Sequence, residues 1–227
     1  MPTPDFRTIL ADETREAHDA IERALDLGPD APFERYLSYL RGMHAVVASA
    51  ETAFERDLRL ADLGLMPSPM RARLERDIAY FRLEPMACRV ALPGDLPSRV
   101  GWAYVLEGAS LGGRVLHARL APRWSLTPAT GGAFLAGHAQ RSGEGWRRFV
   151  HALNRVPFTA EEKKACVAGA RQAFGAIAET FRASVACAGL GLAGQDGFRT
   201  GTSREQPPAR AIERTDSQQR EQRFDEG

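Results

Sequence analysis

Apolar residues recur three and four positions apart along most of this chain, the spacing of one helix face. The first stripe is Phe6, Ile9, Leu10, Ala17, Ile21, Ala24 and Leu25, with Thr3 as the predicted N-cap and Pro4 in the first turn. Leu27-Gly28-Pro29-Asp30 ends it. Pro32 opens a second helix, predicted from Phe33 to about Leu60, with Tyr36, Leu37, Leu40, Val47, Ala50 and Phe54 inward and Gly42 as a point of bending. Gly64 to Pro69 reads as a loop, and Ser68-Pro69 starts a short charged helix, Met70–Phe81. Three prolines and Gly94 make Pro85 to Pro97 irregular. A helix over Gly101–Leu120 follows, with Ser98 as N-cap after Pro97 and with Trp102, Val105, Leu106, Ala109, Leu116 and Leu120 as its apolar positions. Pro122 to Gly132 is predicted as loop, and Phe134–His138 as a short helical turn. Ser142 is the predicted cap of Gly143–Asn154, which turns Trp146, Phe149, Val150 and Leu153 inward. Thr159-x-x-Glu162 has the form of a capping box, opening a last helix through Cys166, Val167, Ala170, Phe174, Ile177 and Phe181. No segment alternates as a strand does and no repeat is visible, so the pattern predicts an all-α bundle of six to eight helices.

The helix over 101–120 breaks a local rule. Gly108, Gly112 and Gly113 lie inside it, and each interior glycine costs roughly 1 kcal/mol relative to alanine. Gly108 and Gly112 are four apart and share a face, which therefore carries no side chains. Two things can lie flat against bare backbone: another helix or a planar ligand. The spacing leaves both open. A second candidate feature sits on the first helix, where His18 and Glu22 are four apart and the carboxylate can reach the imidazole. Such a pairing orients a ligating histidine, and it is equally the pattern of a surface pair on an amphipathic helix. His44 reads as a satisfied or exposed residue.

Composition narrows the field. The formal net charge of +1 gives no case for a nucleic-acid partner. No apolar run approaches the ~18 residues that span a bilayer, so no membrane is expected. The N-terminus shows no basic region followed by an apolar stretch, and no signal peptide is read there. Cys88, Cys166 and Cys187 are scattered without CxxC spacing, which fits reduced, at least half-buried thiols in the cytoplasm. P-loop, HExxH and nucleophile-elbow motifs are absent. Beyond Gly189 the chain turns polar, with six arginines against seven acids over 191–227. Residues 1–189 are therefore expected to form one helical domain and 190–227 a disordered polar tail.

A histidine on one helix and a side-chain-free face on another suit a haem held between them. At these residues the chain resembles the haem oxygenase family, in its bacterial branch that supplies biliverdin to phytochromes. TREAHDAIE around His18, YVLEGASLGGRVL around Gly108–Gly113 and the later GWRRFVHALN match in order and spacing, over about residues 5–187. The resemblance implies a single-domain helical fold with haem as both cofactor and substrate, cleaved to biliverdin, CO and ferrous iron. The co-substrates are O2 and electrons from a donor such as ferredoxin, a flavoprotein reductase or ascorbate. A bacteriophytochrome is a candidate recipient of the bilin. His18 maps onto the proximal iron ligand, with Glu22 as its partner. Gly108 and Gly112 map onto the distal-helix glycines, with Gly113 beside them, and Tyr104 onto a tyrosine that bonds a propionate in some bacterial relatives.

Two departures stand out. Many relatives carry aspartate just after the first distal glycine, where this chain has Ala109, so Ser110 or backbone carbonyls are expected to hold the waters that deliver protons. Relatives often carry lysine seven residues before the ligand, where this chain has Ala11; Arg15, Arg141, Arg147 and Arg148 are the candidate replacements, Arg147 first among them. His117, His138 and His151 match no ligand position. The competing readings are a non-catalytic haem- or bilin-binding protein on the same fold, and an interaction module that offers the glycine face to a partner helix.

The tail's composition generates a first test. Ending the chain after Leu190 should leave haem affinity and bilin formation intact, read by haemin titration and the product spectrum; a large loss of either would show that the tail acts at the site.

Overall fold

The computed structural model describes residues 5–139 and 143–193. The Thr3-Pro4 helix start, the Ser142 cap and nearly all of the polar tail lie outside them. Among the described residues there are eight helices and no strand, which is the all-α fold expected.

Helix α1 (Phe6–Leu25) is capped by Asp5, whose carboxylate accepts from the Thr8 amide at 2.8 Å. The predicted second helix divides into α2 (Phe33–Glu55) and α3 (Leu58–Asp62). Asp57 makes the division: its carboxylate is buried, accepts from the Arg59 amide and guanidinium, and takes Arg99 Nη1 at 2.6 Å. These cations hold it well below the usual carboxylate range, the Arg59 hydrogen bond most of all. Helix α4 (Arg71–Tyr80) has no cap of its own at Met70; Glu51 of α2 accepts from the Met70 and Arg71 amides instead.

The glycine-bearing helix is longer than its apolar pattern indicated. Helix α5 runs Leu96–Trp124, capped by Asp95 rather than Ser98, and continues through Pro122. Packing overrides the proline, because Trp124 is held at the far end against Phe33 and Tyr36, with ring centroids 5.1 and 5.6 Å apart. Helix α6 (Ala133–Ala139) and helix α7 (Glu144–Leu153) follow, and Gly143 occupies the N-cap of α7 without a side-chain bond. Helix α8 (Ala160–Ala193) opens with the predicted capping box, Thr159 and Glu162 bonding each other's backbone amides. Cys166 is buried, whereas Cys88 and Cys187 are exposed, contrary to the expectation that all three thiols are at least half-buried.

Helix α8 is the element on which α1, α2 and α5 all pack. The closest approach is made by glycines outside the GxxxG pair. A Cβ at Gly101 would collide with the Cys166 carbonyl oxygen, and one at Gly169 with the Ser98 carbonyl oxygen. Each helix thus sinks its backbone into a notch in the other, and Trp102 Nε1 donates to Gln172 Oε1 at 3.1 Å nearby. Gly42 serves the same end on α2, which runs unbroken through it: its Cβ would lie 3.0 Å from the Phe181 amide. Gly112, by contrast, has nothing within 4 Å of a Cβ, and Gly108 only the Trp146 ring at 3.5 Å. Close helix–helix packing therefore does not explain the Gly108/Gly112 face.

Opposite stability effects should follow along one helix. Gly101→Ala should cost about 3 kcal/mol, lowering Tm by roughly 6–12 °C. Gly112→Ala should be neutral or stabilising by about 0.5–1 kcal/mol, as expected for an unobstructed helix position. Thermal melts of the two variants without ligand decide it.

Candidate functional site

Helices α1 and α5 both rest on α8 and leave a cavity of about 560 Å³ between them, a volume in the usual range for small-molecule and cofactor sites. Helix α1 contributes Arg7, His18, Ile21 and Glu22 to its lining, and α5 contributes Tyr104, Gly108, Ala109, Gly112 and Arg119. Tyr39 and Met43 of α2, Phe174 and Ile177 of α8 and Trp146 of α7 add mostly apolar surface. Leu25, the last residue of α1, and Asp26 to Gly28 after it also line the cavity. The histidine and the side-chain-free face thus line one cavity from two different helices.

His18 is half exposed, its ring edge-on to Phe174 with centroids 5.8 Å apart. Carboxylates flank both ring nitrogens: Asp19 Oδ1 lies 3.7 Å from Nδ1 and Glu22 Oε1 lies 3.8 Å from Nε2. Those separations are ion-pair distances and too long for hydrogen bonds. Glu22 is therefore near the imidazole, as its spacing indicated, without holding it. Either nitrogen is free to turn to a ligand while the other keeps an acidic neighbour.

The three glycines of α5 divide by role. Gly108 and Gly112 present backbone to the cavity, and that bare surface is the cradle a Cβ would begin to fill. Gly113 also borders it, yet its missing side chain makes room on the other side, where a Cβ would collide with the buried His138 ring. Packing accounts for Gly113. His138 belongs to α6, whose first two amides, Ala133 and Phe134, both donate to the buried Asp77 carboxylate at 2.8 Å. Desolvation pushes Asp77 up from the usual carboxylate value, partly offset by those two amides.

Several expected residues stand elsewhere. Ser110 is buried and does not line the cavity. Arg147 is exposed and also outside the lining; the polar face of α7 carries it, while Trp146 turns inward against Tyr104 at 5.6 Å between centroids. Arg15 pairs with Asp12, Arg148 pairs with Glu144, and Arg141 lies outside the described residues. The arginines that do line the cavity are Arg7 and Arg119. Both carried a periodic signal: Arg7 is one turn before Ala11 on the same face of α1, and Arg119 is two turns after Gly112. Tyr104 is buried at the Arg7 end. Burial pushes its phenol up and the Arg7 charge draws it partly back, so the hydroxyl stays protonated as a donor at neutral pH. Tyr39, its phenol also pushed up by burial, is a lining residue that the predicted stripe Tyr36, Leu37 and Leu40 passes over.

These residues fit a haem. The cavity is flanked by an accessible imidazole, lined by bare helix backbone and apolar surface, and supplied with arginines suited to carboxylates. Comparison with known proteins bears on the same question. Curated proteins give no match. Three solved bacterial structures are similar in fold. The heme oxygenase of Neisseria meningitidis, in its NO- and CO-bound forms, is 23% identical with a TM-score of 0.69, over 81% of this chain and 94% of that one. That of Leptospira interrogans is 19% identical with a TM-score of 0.62, over 78% and 98%. Heme oxygenase-1 of the cyanobacterium Synechocystis, in complex with heme, is 15% identical with a TM-score of 0.64, over 84% and 99%. The family model described as heme oxygenase matches residues 5–183, a span that takes in both walls of the cavity and the α8 surface beneath them, and the chain belongs to that family.

Proposed function

We propose that this protein binds haem between α1 and α5 and cleaves it to biliverdin, CO and ferrous iron, with His18 as the residue that would ligate the iron. The observation that carries the reading is the shared cavity: His18 borders it from α1, and the unobstructed backbone of Gly108 and Gly112 borders it from α5. Membership of a haem-degrading family supports the activity, and the phytochrome-linked role of the product rests on the resemblance of the segments around His18 and Gly108–Gly113 to that bacterial branch. No helix among the described residues is long and apolar enough to cross a membrane. The unpaired thiols suit a reducing, cytoplasmic setting.

Bound haem supplies the redox chemistry, taking O2 and donor electrons, from ferredoxin, a flavoprotein reductase or ascorbate. The chain's own residues do the rest. His18 would offer one imidazole nitrogen to the iron, and the carboxylate beside the other nitrogen, Asp19 at 3.7 Å from Nδ1 or Glu22 at 3.8 Å from Nε2, would favour the proton there. Arg7 and Tyr104 hold a propionate, Arg7 taking the part expected of Arg147 from one turn before Ala11. On α5, the lining residues Val105, Gly108, Ala109, Leu111, Gly112 and Gly113 carry no ionisable group. Protons are then delivered by solvent ordered on the backbone carbonyls of this stretch, since Ser110 faces away from the cavity. The bare face also leaves room for a diatomic ligand and orients it by steric exclusion.

Titration with haemin, followed by ascorbate and O2, tests the reading. The parent protein should give a Soret complex that converts to a bilin spectrum. A stable complex that never turns over would favour the non-catalytic binder, and no Soret shift the interaction module. His18→Ala should lose turnover by at least about 100-fold with helical content unchanged, since loss of a ligand's hydrogen-bond partner alone costs about 10–100-fold. A native Soret band with full activity in that variant would remove His18 from the iron.

A further inference from the structure

We propose that the hydrogen bond from Arg119 to the Leu27 carbonyl is a latch that closes one end of the cavity and sets how fast a bound tetrapyrrole enters and leaves. This rests on the functional reading above for its ligand, though the latch is a property of the protein without one.

The argument begins with the wall that is not a helix. Asp26 ends α1 in the left-handed region, at φ 44°, and its amide donates to Glu22. Upstream the chain is tied down: Arg35 of α2 donates to the Leu25 carbonyl at 3.0 Å and the Ala24 carbonyl at 2.7 Å, its guanidinium lying over the Phe181 ring. Downstream it is tied down again, at Ala31, which is buried, and at Phe33, packed on Phe81 and Trp124. Between these anchors the backbone is held by the Ala31 amide on the Gly28 carbonyl and by Arg119 Nη1 on the Leu27 carbonyl at 3.2 Å. Leu27 is 4% exposed and lines the cavity, so the residue whose carbonyl Arg119 holds is part of the cavity wall.

Position makes this bond a gate. Arg119 lies on α5 and Leu27 two residues past the end of α1, so the bond ties α5 to the segment that leaves α1. Arg7 and Tyr104 are 15 residues or more from this end along their own helices, roughly 20 Å at 1.5 Å per residue. A carboxylate held by Arg7 is therefore out of reach of Arg119. Arg119 is itself exposed, and it spends one donor on a neutral carbonyl in a part-buried bond.

The experiment is stopped-flow binding of zinc protoporphyrin IX, followed by quenching of tryptophan fluorescence, in the parent, Arg119→Gln and Arg7→Gln. Losing one charge-assisted hydrogen bond should favour the open state about tenfold, so Arg119→Gln should raise association and dissociation rates together, by up to about tenfold, with Kd changed less than about threefold. The dimethyl ester of the same porphyrin, which has no carboxylate, should show the same acceleration. Arg7→Gln should raise dissociation alone. If Arg119→Gln weakens Kd and spares the ester, Arg119 is a carboxylate anchor and the latch is wrong; unchanged rates also overturn it. Hydrogen exchange of the ligand-free protein gives an independent readout. Amides over residues 26–31 should exchange faster in Arg119→Gln while those of α2 do not, and unchanged exchange there overturns the latch whether or not porphyrin binds.

Discussion

The close crossing of α5 over α8 is the constraint on which the site depends. Helices normally keep their axes apart by the thickness of two side-chain layers. Gly101 and Gly169 remove one layer on each side, so each backbone packs against a carbonyl oxygen of the other helix. That contact fixes the height and rotation of α5 at its N-terminal end. The rest of α5 then projects past α8 and over the space beside α1, and its rotation decides that Gly108 and Gly112, rather than their neighbours, present to the cavity. With α1 seated on the same helix, the two walls are referenced to one rigid element without packing on each other across the gap.

The other faces of α5 are occupied, which is why the cavity face can stay bare. Glu107 accepts from the Ser68 amide at 2.8 Å on one side, and His138 fills the hollow over Gly113 on another. The His138 ring is positioned by α6, and α6 by the Asp77 carboxylate. A buried carboxylate is costly to ionise, but two backbone amides at a helix N-terminus recover much of that cost. At the far end Trp124 packs among Phe33 and Tyr36, carrying the helix through Pro122. The glycine helix thus keeps a bare, solvent-facing stretch in its middle because packing holds both ends and its back. The helix propensity forgone at Gly108 and Gly112 is small beside that packing.

The division between sequence and tertiary structure follows from the range of the forces involved. Helical periodicity is local, so the all-α class, α1, α4, α6, α7 and the capping box of α8 are legible in the residues themselves. So is the oddity of three glycines within one apolar helix, together with the one histidine that has acidic neighbours on both sides. Boundaries set by distant partners are not: Asp57 splits α2 from α3 through Arg99, forty-two residues on, and Glu51 caps α4 from another helix. Which glycine faces what was equally hidden. Gly101, Gly108, Gly112 and Gly113 are identical letters in one helix, and only the placement of α8, α7 and α6 makes the first a packing notch, the middle two a cavity wall and the last a socket for His138. The placement of the arginines is hidden for the same reason, because a guanidinium on a long flexible stem is defined by where its helix ends up: Arg147 is exposed and outside the lining, while Arg7 and Arg119 border the cavity. Sequence alone determined the fold class and the two features that meet; the tertiary structure decided that they share one cavity, because the distance between α1 and α5 is set by a third helix that neither pattern mentions.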